Sequence, residues 1–113
     1  MGIANRYNAN GKLWNVDNSQ FSFIKLKELV ENRSYPVFGC FISPDNGFGE
    51  GAVLITAEYN VNCPSRYCVL FRQMMADPEA VKQINDGKLY FHYEKFYSEK
   101  YKQDGYTIVF EDR

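Results

Sequence analysis

The sequence predicts a single small α+β domain, rich in strands. Two observations carry this. Apolar runs that read as strands come in two pairs, Val37–Ile42 with Ala52–Thr56 and Lys88–Tyr97 with Tyr106–Phe110. Between the pairs, apolar residues recur at helical spacing. With 113 residues, 45% of them hydrophobic, the chain is long enough to bury a core as one domain over 1–113.

The elements follow in order. Residues 1–11 are rich in Asn and Gly and read as a loose or edge arm. Ser19 or Asn18 is a candidate cap for a helix from about Gln20. In it Phe23, Leu26, Leu29 and Val30 form a stripe that ends near Asn32–Ser34, because Pro36 keeps the residue before it out of the α region. Val37–Ile42 and Ala52–Thr56 read as a hairpin closed by the Ser43–Gly47 turn. Glu58–Asn62 reads either as a short third strand or as an extended connection. Pro64 suits a helix start, Tyr67, Cys68, Phe71, Met74 and Met75 keep helical spacing, and Asp77-Pro78 restarts a helix that Gly87 caps. The final hairpin is expected to turn at Gln103-Asp104-Gly105. This order is compatible with an OB-like barrel, and equally with a sheet that carries helices on one face.

Composition excludes several functions. Thirteen basic residues against fourteen acidic ones leave a net charge of −1, so no whole-protein field attracts nucleic acid. Three cysteines and a polar N-terminus argue for a cytoplasmic protein with reduced thiols. No apolar run approaches the ~20 residues that span a bilayer, so no membrane partner is expected.

Catalytic chemistry finds little support. His92 is the lone histidine, with no nucleophile or orienting group beside it in sequence. Cys63 and Cys68 lack a second ligand pair for zinc, so neither metal nor cofactor is expected. The Gly47-Phe48-Gly49-Glu50-Gly51 segment leads into a strand and so is not a dinucleotide loop. It reads as a hairpin tip, and Gly47, Phe48, Gly49 and Glu50 are candidate loop contacts.

The densest unusual feature spans residues 88–106. Here Lys88, Lys95, Lys100 and Lys102 interleave with Tyr90, Tyr97 and Tyr101, and His92 joins Lys88 and Tyr90 on one face of the strand. Lysines that track phosphates and rings that stack on bases would hold single-stranded nucleic acid. A tyrosine-rich surface would equally serve a protein interface, and lysines also blunt an exposed sheet edge.

Tyr35–Ile55 (YPVFGCFISPDNGFGEGAVLI) and Val61–Phe91 (VNCPSRYCVLFRQMMADPEAVKQINDGKLYF) together resemble a family of small proteins carried by phages and mobile elements of Gram-positive bacteria. The resemblance covers about residues 35–91. It departs at Arg66-Tyr67, where a His-Leu pair is common. It brings no activity with it and implies only a phage or mobile-element origin. Such an origin suggests a non-enzymatic, single-stranded-DNA-binding replication accessory, or an anti-defence inhibitor that binds a host protein or a signalling nucleotide. Self-association is open on either reading.

Overall fold

A computed structural model describes residues 13–44, 47 and 49–113. The expected N-terminal arm, the Asp45-Asn46 part of the turn and Phe48 lie outside the described residues. Among the described residues, seven strands form two separate sheets that do not close into a barrel, so the OB-like expectation gives way to a two-sheet α+β architecture.

The first sheet has the order β1 (Ser22–Lys25), β5 (Tyr59–Cys63), β4 (Gly51–Ile55), β3 (Gly39–Ser43). As expected, β3 and β4 form a hairpin, with Cys40 opposite Leu54, and Glu58–Asn62 contributes a third strand. β4 is the centre. Its residues Ala52, Val53, Leu54 and Ile55 are all at most 2% exposed, so both of its faces are covered. Such a strand reads as a continuous apolar run, and AVLI is one.

One face of this sheet forms the main core. Cys40, Ala52, Leu54 and Val61 meet Phe71 from helix α1 (Cys68–Ala76) and Ile84 from helix α2 (Pro78–Asn85). A 3-10 turn, Ser65–Tyr67, precedes α1. The Asp77 carboxylate caps α2 by accepting the Glu79 N–H at 3.0 Å, and Gly87 ends the helix at φ +75°. The opposite face is crossed by the segment from Trp14 to Phe21. Trp14 Nε1 donates to the Cys40 carbonyl at 2.7 Å, and its ring lies where a Cβ on Gly39 would stand. Asn18 Nδ2 donates to Asn60 Oδ1 at 2.8 Å, and Asn60 Nδ2 donates to the Phe21 carbonyl at 3.2 Å. Gly39, Ile55 and Asn60 share one row across β3, β4 and β5, so these contacts carry the segment across the sheet.

The helix expected from Gln20 to Ser34 is replaced by β1 and a 3-10 turn, Leu26–Glu28. Leu26 and Leu29 are buried as the stripe requires, yet Phe23 and Val30 are exposed. Parallel pairing with β5, Ile24 against Val61, supplies main-chain partners from far along the chain. Tertiary pairing therefore overrides a local stripe of only a few residues.

The second sheet has the order β2 (Tyr35–Pro36), β6 (Leu89–Ser98), β7 (Gln103–Asp112). β2 lies just before the expected strand Val37–Ile42 and joins the other sheet, and Val37 N–H reaches the Leu89 carbonyl at 2.9 Å. Leu89, Phe91 and Tyr93 close the core from β6, as alternation requires, and Ile108 does so from β7. The turn of this hairpin spans 99–102 and not Gln103–Gly105, which belongs to β7, with Gly105 opposite Phe96. Lys102 provides the left-handed residue at φ +51°.

Gly39→Ala is expected to displace the Trp14 ring and break its bond to Cys40, at a cost of about 1–3 kcal/mol. Trp14 is the sole tryptophan, so denaturant unfolding followed by its fluorescence should show a lower midpoint and a red-shifted native spectrum. An unchanged spectrum and midpoint would refute this role of the ring.

Candidate functional site: the C-terminal hairpin

Alternation along β6 and β7 divides the expected site into parts. Tyr90, His92, Glu94 and Phe96 lie on one face, with Glu111, Val109, Thr107 and Gly105 opposite them. Lys95 and Tyr97 lie on the other face, beyond the core residues Leu89, Phe91 and Tyr93. Lys100, Tyr101 and Lys102 belong to the turn, and Lys88 immediately precedes β6. The strand thus does not bring all the lysines and tyrosines onto one surface.

On the first face, His92 is enclosed by carboxylates. Its Nε2 lies 2.8 Å from Glu94 Oε2 and its Nδ1 lies 2.5 Å from Glu111 Oε2. Glu111 also accepts from Ser34 Oγ at 2.8 Å and from Arg113 at 2.9 Å, and the Arg113 guanidinium covers Tyr90 at 4.8 Å from the ring centre. Hydrogen bonds to Glu94 and Glu111 raise the His92 pKa above its ordinary 6.5, and the bond from His92 leads the causes that pull Glu111 down to about 2. With both ring nitrogens facing carboxylates, the doubly protonated imidazole is the favoured form. Ser34 Oγ points to Glu111 and not to His92, so the pairing that activates a serine is not formed. Glu111, Ser34 and Arg113 were not found from the sequence, because they lie 19 to 58 residues from His92 and only strand register joins them.

Both outer edges of the hairpin are guarded at its base. On β6, the Tyr93 carbonyl accepts Asn32 N–H at 3.0 Å, and Lys95 N–H donates to the Glu31 carboxylate at 3.0 Å. On β7, Tyr67 Oη accepts Ile108 N–H at 2.8 Å, and Arg66 donates to the Tyr106 carbonyl. Beyond these contacts the two strands continue as a ribbon. Phe96 is 45% exposed on one face, Tyr97 is 61% exposed on the other, and Tyr101 is 65% exposed in the turn. Phe96 covers Gly105, where an added Cβ would meet its ring. From Glu94 to Gly105, Lys95, Lys100 and Lys102 face Glu94, Glu99 and Asp104 in equal number. Lys95 Nζ lies 3.9 Å from Asp104, and Lys100 Nζ lies 5.2 Å from the centre of the Tyr101 ring.

The other expected contact region lies on the first sheet. Gly47 and Gly49 adopt φ of +104° and +91°, which suits glycine. Glu50 forms an ion pair with Arg72 of α1, and its carbonyl faces Cys68 Sγ at 3.7 Å, so it ties the hairpin tip to the helix. Cys40, Cys63 and Cys68 are free thiols. Burial pushes those of Cys40 and Cys63 up to about 12, which makes them unreactive. Among the described residues, no group of three or more His, Cys, Asp or Glu is placed to hold a metal ion, and no helix is long and apolar enough to cross a membrane.

The folded state holds the His92 proton more tightly than the unfolded chain. Its contribution to stability is therefore complete below pH 6.5 and is lost as pH rises through the elevated pKa. The Glu111 contribution is complete above 4.5 and is lost as pH falls toward about 2. An NMR titration of the single imidazole should give a midpoint above 6.5, and Glu111→Gln should bring it down. A wild-type midpoint at or below 6.5 would contradict the carboxylate enclosure. No family model, curated protein or solved structure matches this chain.

Proposed function

We propose that the protein is a binding module that docks on another protein through the free end of its C-terminal hairpin. The observation that carries this reading is the ribbon beyond Lys95 and Tyr106, which exposes Phe96, Tyr97 and Tyr101 while its charges sum to zero. Large rings held on a strand framework lose little freedom on binding, and tyrosine is enriched at interface hot spots. For a product of a phage or mobile element, the partner is a host protein, as an inhibitor of host defence requires.

Single-stranded nucleic acid is the weaker reading on the same observations. Phosphate binding needs cations without carboxylate neighbours, on the same surface as the stacking rings. Here the rings occupy both faces, Lys95 lies near Asp104, and the face of Tyr90 and His92 carries Glu94 and Glu111. A binding role also fits a histidine whose two nitrogens both face carboxylates.

A photo-crosslinking residue at Tyr97 should capture a discrete protein in host cells. Tyr97→Ala with Tyr101→Ala should weaken that complex at least about a hundredfold, since hot-spot truncations cost ~2 kcal/mol or more. Both side chains are exposed, so the melting temperature should not change. An undiminished complex in the double variant would refute the reading. Salt-sensitive micromolar binding of oligo-dT by polarisation would replace it with the nucleic-acid one.

A further inference from the structure

Where the two sheets meet, an open groove runs between β2 with its preceding connection and the start of β5. It consists of two adjoining hollows of about 410 Å³ and 220 Å³, which share Arg33, Tyr35, Glu58 and Tyr59. The larger falls in the ~300–1,000 Å³ range of small-molecule sites.

Both walls are held in place by the protein itself. On one side, Val30 N–H donates to Tyr35 Oη at 2.9 Å, and Tyr93 Oη donates to the Leu29 carbonyl at 2.7 Å. Asn32 adopts the left-handed conformation at φ +65° and donates its N–H to Tyr93. On the other side, Thr56 and Tyr59 close a turn that displays Glu58. Thr56 N–H donates to the Tyr59 carbonyl at 2.9 Å, and Thr56 Oγ1 accepts Tyr59 N–H at 3.2 Å. Walls fixed in this way lose little conformational freedom when a ligand enters.

The chemistry of the groove is mixed. The Arg33 guanidinium lies 5.5 Å from the centre of the Tyr35 ring. Of the four described arginines, Arg66, Arg72 and Arg113 each donate to an oxygen of the protein, whereas the Arg33 guanidinium has no such partner among the described residues. Glu58, on the other wall, is in no ion pair among the described residues. Ile24 and Leu29 provide apolar surface between them, and Tyr59 offers a ring that is 36% exposed.

We propose that this groove binds a small zwitterion of amino-acid type, its anionic group on Arg33, its cationic group on Glu58 and its apolar body against Ile24 and Tyr59. The larger hollow is lined by a second carboxylate, Glu28, but it is engaged by the Lys25 N–H at 2.5 Å. Arg33 and Glu58, one cation and one carboxylate without such a partner on prearranged walls, match a ligand that carries both charges, and each group then meets a charge-assisted partner. This site is separate from the hairpin end and does not depend on it.

The test is an amide-shift NMR titration with L-phenylalanine, set beside phenethylamine and 3-phenylpropionate, which each keep one of the two charges. L-phenylalanine should shift the amides of Arg33, Glu58 and Tyr59 with low-millimolar saturation, and each single-charge compound should bind at least about tenfold more weakly. Arg33→Gln and Glu58→Gln, both at exposed positions, should each weaken L-phenylalanine binding by a similar factor while the remaining amide spectrum stays in place. The absence of saturable shifts with L-phenylalanine would overturn the proposal. So would single-charge compounds that bind as tightly as the zwitterion, or variants that leave its affinity unchanged.

Discussion

Strand β4 buries both of its faces, and the fold is arranged around keeping them dry. Val53, Leu54 and Ile55 together remove three branched apolar side chains from water, each worth roughly 1.5–3 kcal/mol. A strand can do this only if something is layered on each side of its sheet. On one side the two helices and the second sheet contribute Phe71, Ile84 and Phe91 to the core cluster that contains Leu54. On the other, the Trp14–Phe21 segment crosses the sheet, held by the Trp14–Cys40 and Asn18–Asn60 hydrogen bonds. Asn60 is 2% exposed, so the bonds that hold this cover also satisfy a polar group that would otherwise be costly to bury.

The second sheet solves a different problem. A hairpin of two ten-residue strands leaves long outer edges that could pair with other chains. The protein occupies much of the base of these edges with its own groups: Glu31 and Asn32 on β6, Arg66 and Tyr67 on β7. The guards come from the connection before β2 and from the turn before α1, the pieces that also join the two sheets. Edge protection and sheet docking are thus performed by the same residues. Beyond the guards the ribbon has no core beneath it, which explains why alternation there exposes one aromatic on each face.

Charge is managed locally rather than by net balance. On the His92 face the imidazole lies between Glu94 and Glu111, and Arg113 serves both Glu111 and Tyr90. The lysines of the ribbon are matched by equal numbers of acids. Against this background the groove between the sheets differs, because Arg33 and Glu58 face a common space from separate walls. The ribbon end is neutral and aromatic, whereas the groove is charged in both senses, so the two surfaces suit different classes of ligand.

How much could be read without the structure follows from the range of the forces involved. The AVLI run, the 89-91-93 alternation, the Asp77-Pro78 helix start and the Gly87 stop depend on neighbours within a few residues. The sequence by itself determined these elements. The segment at 20–34 and the shape of the site were decided only by tertiary structure. β1 is a strand because β5, more than thirty residues away, supplies its hydrogen bonds. His92 lies between two carboxylates because register places Glu111 beside it, and Arg33 and Glu58 line one groove only because two sheets pack. Local patterning sets which faces are apolar, but the polar groups that meet across those faces are chosen by pairing and packing between distant segments.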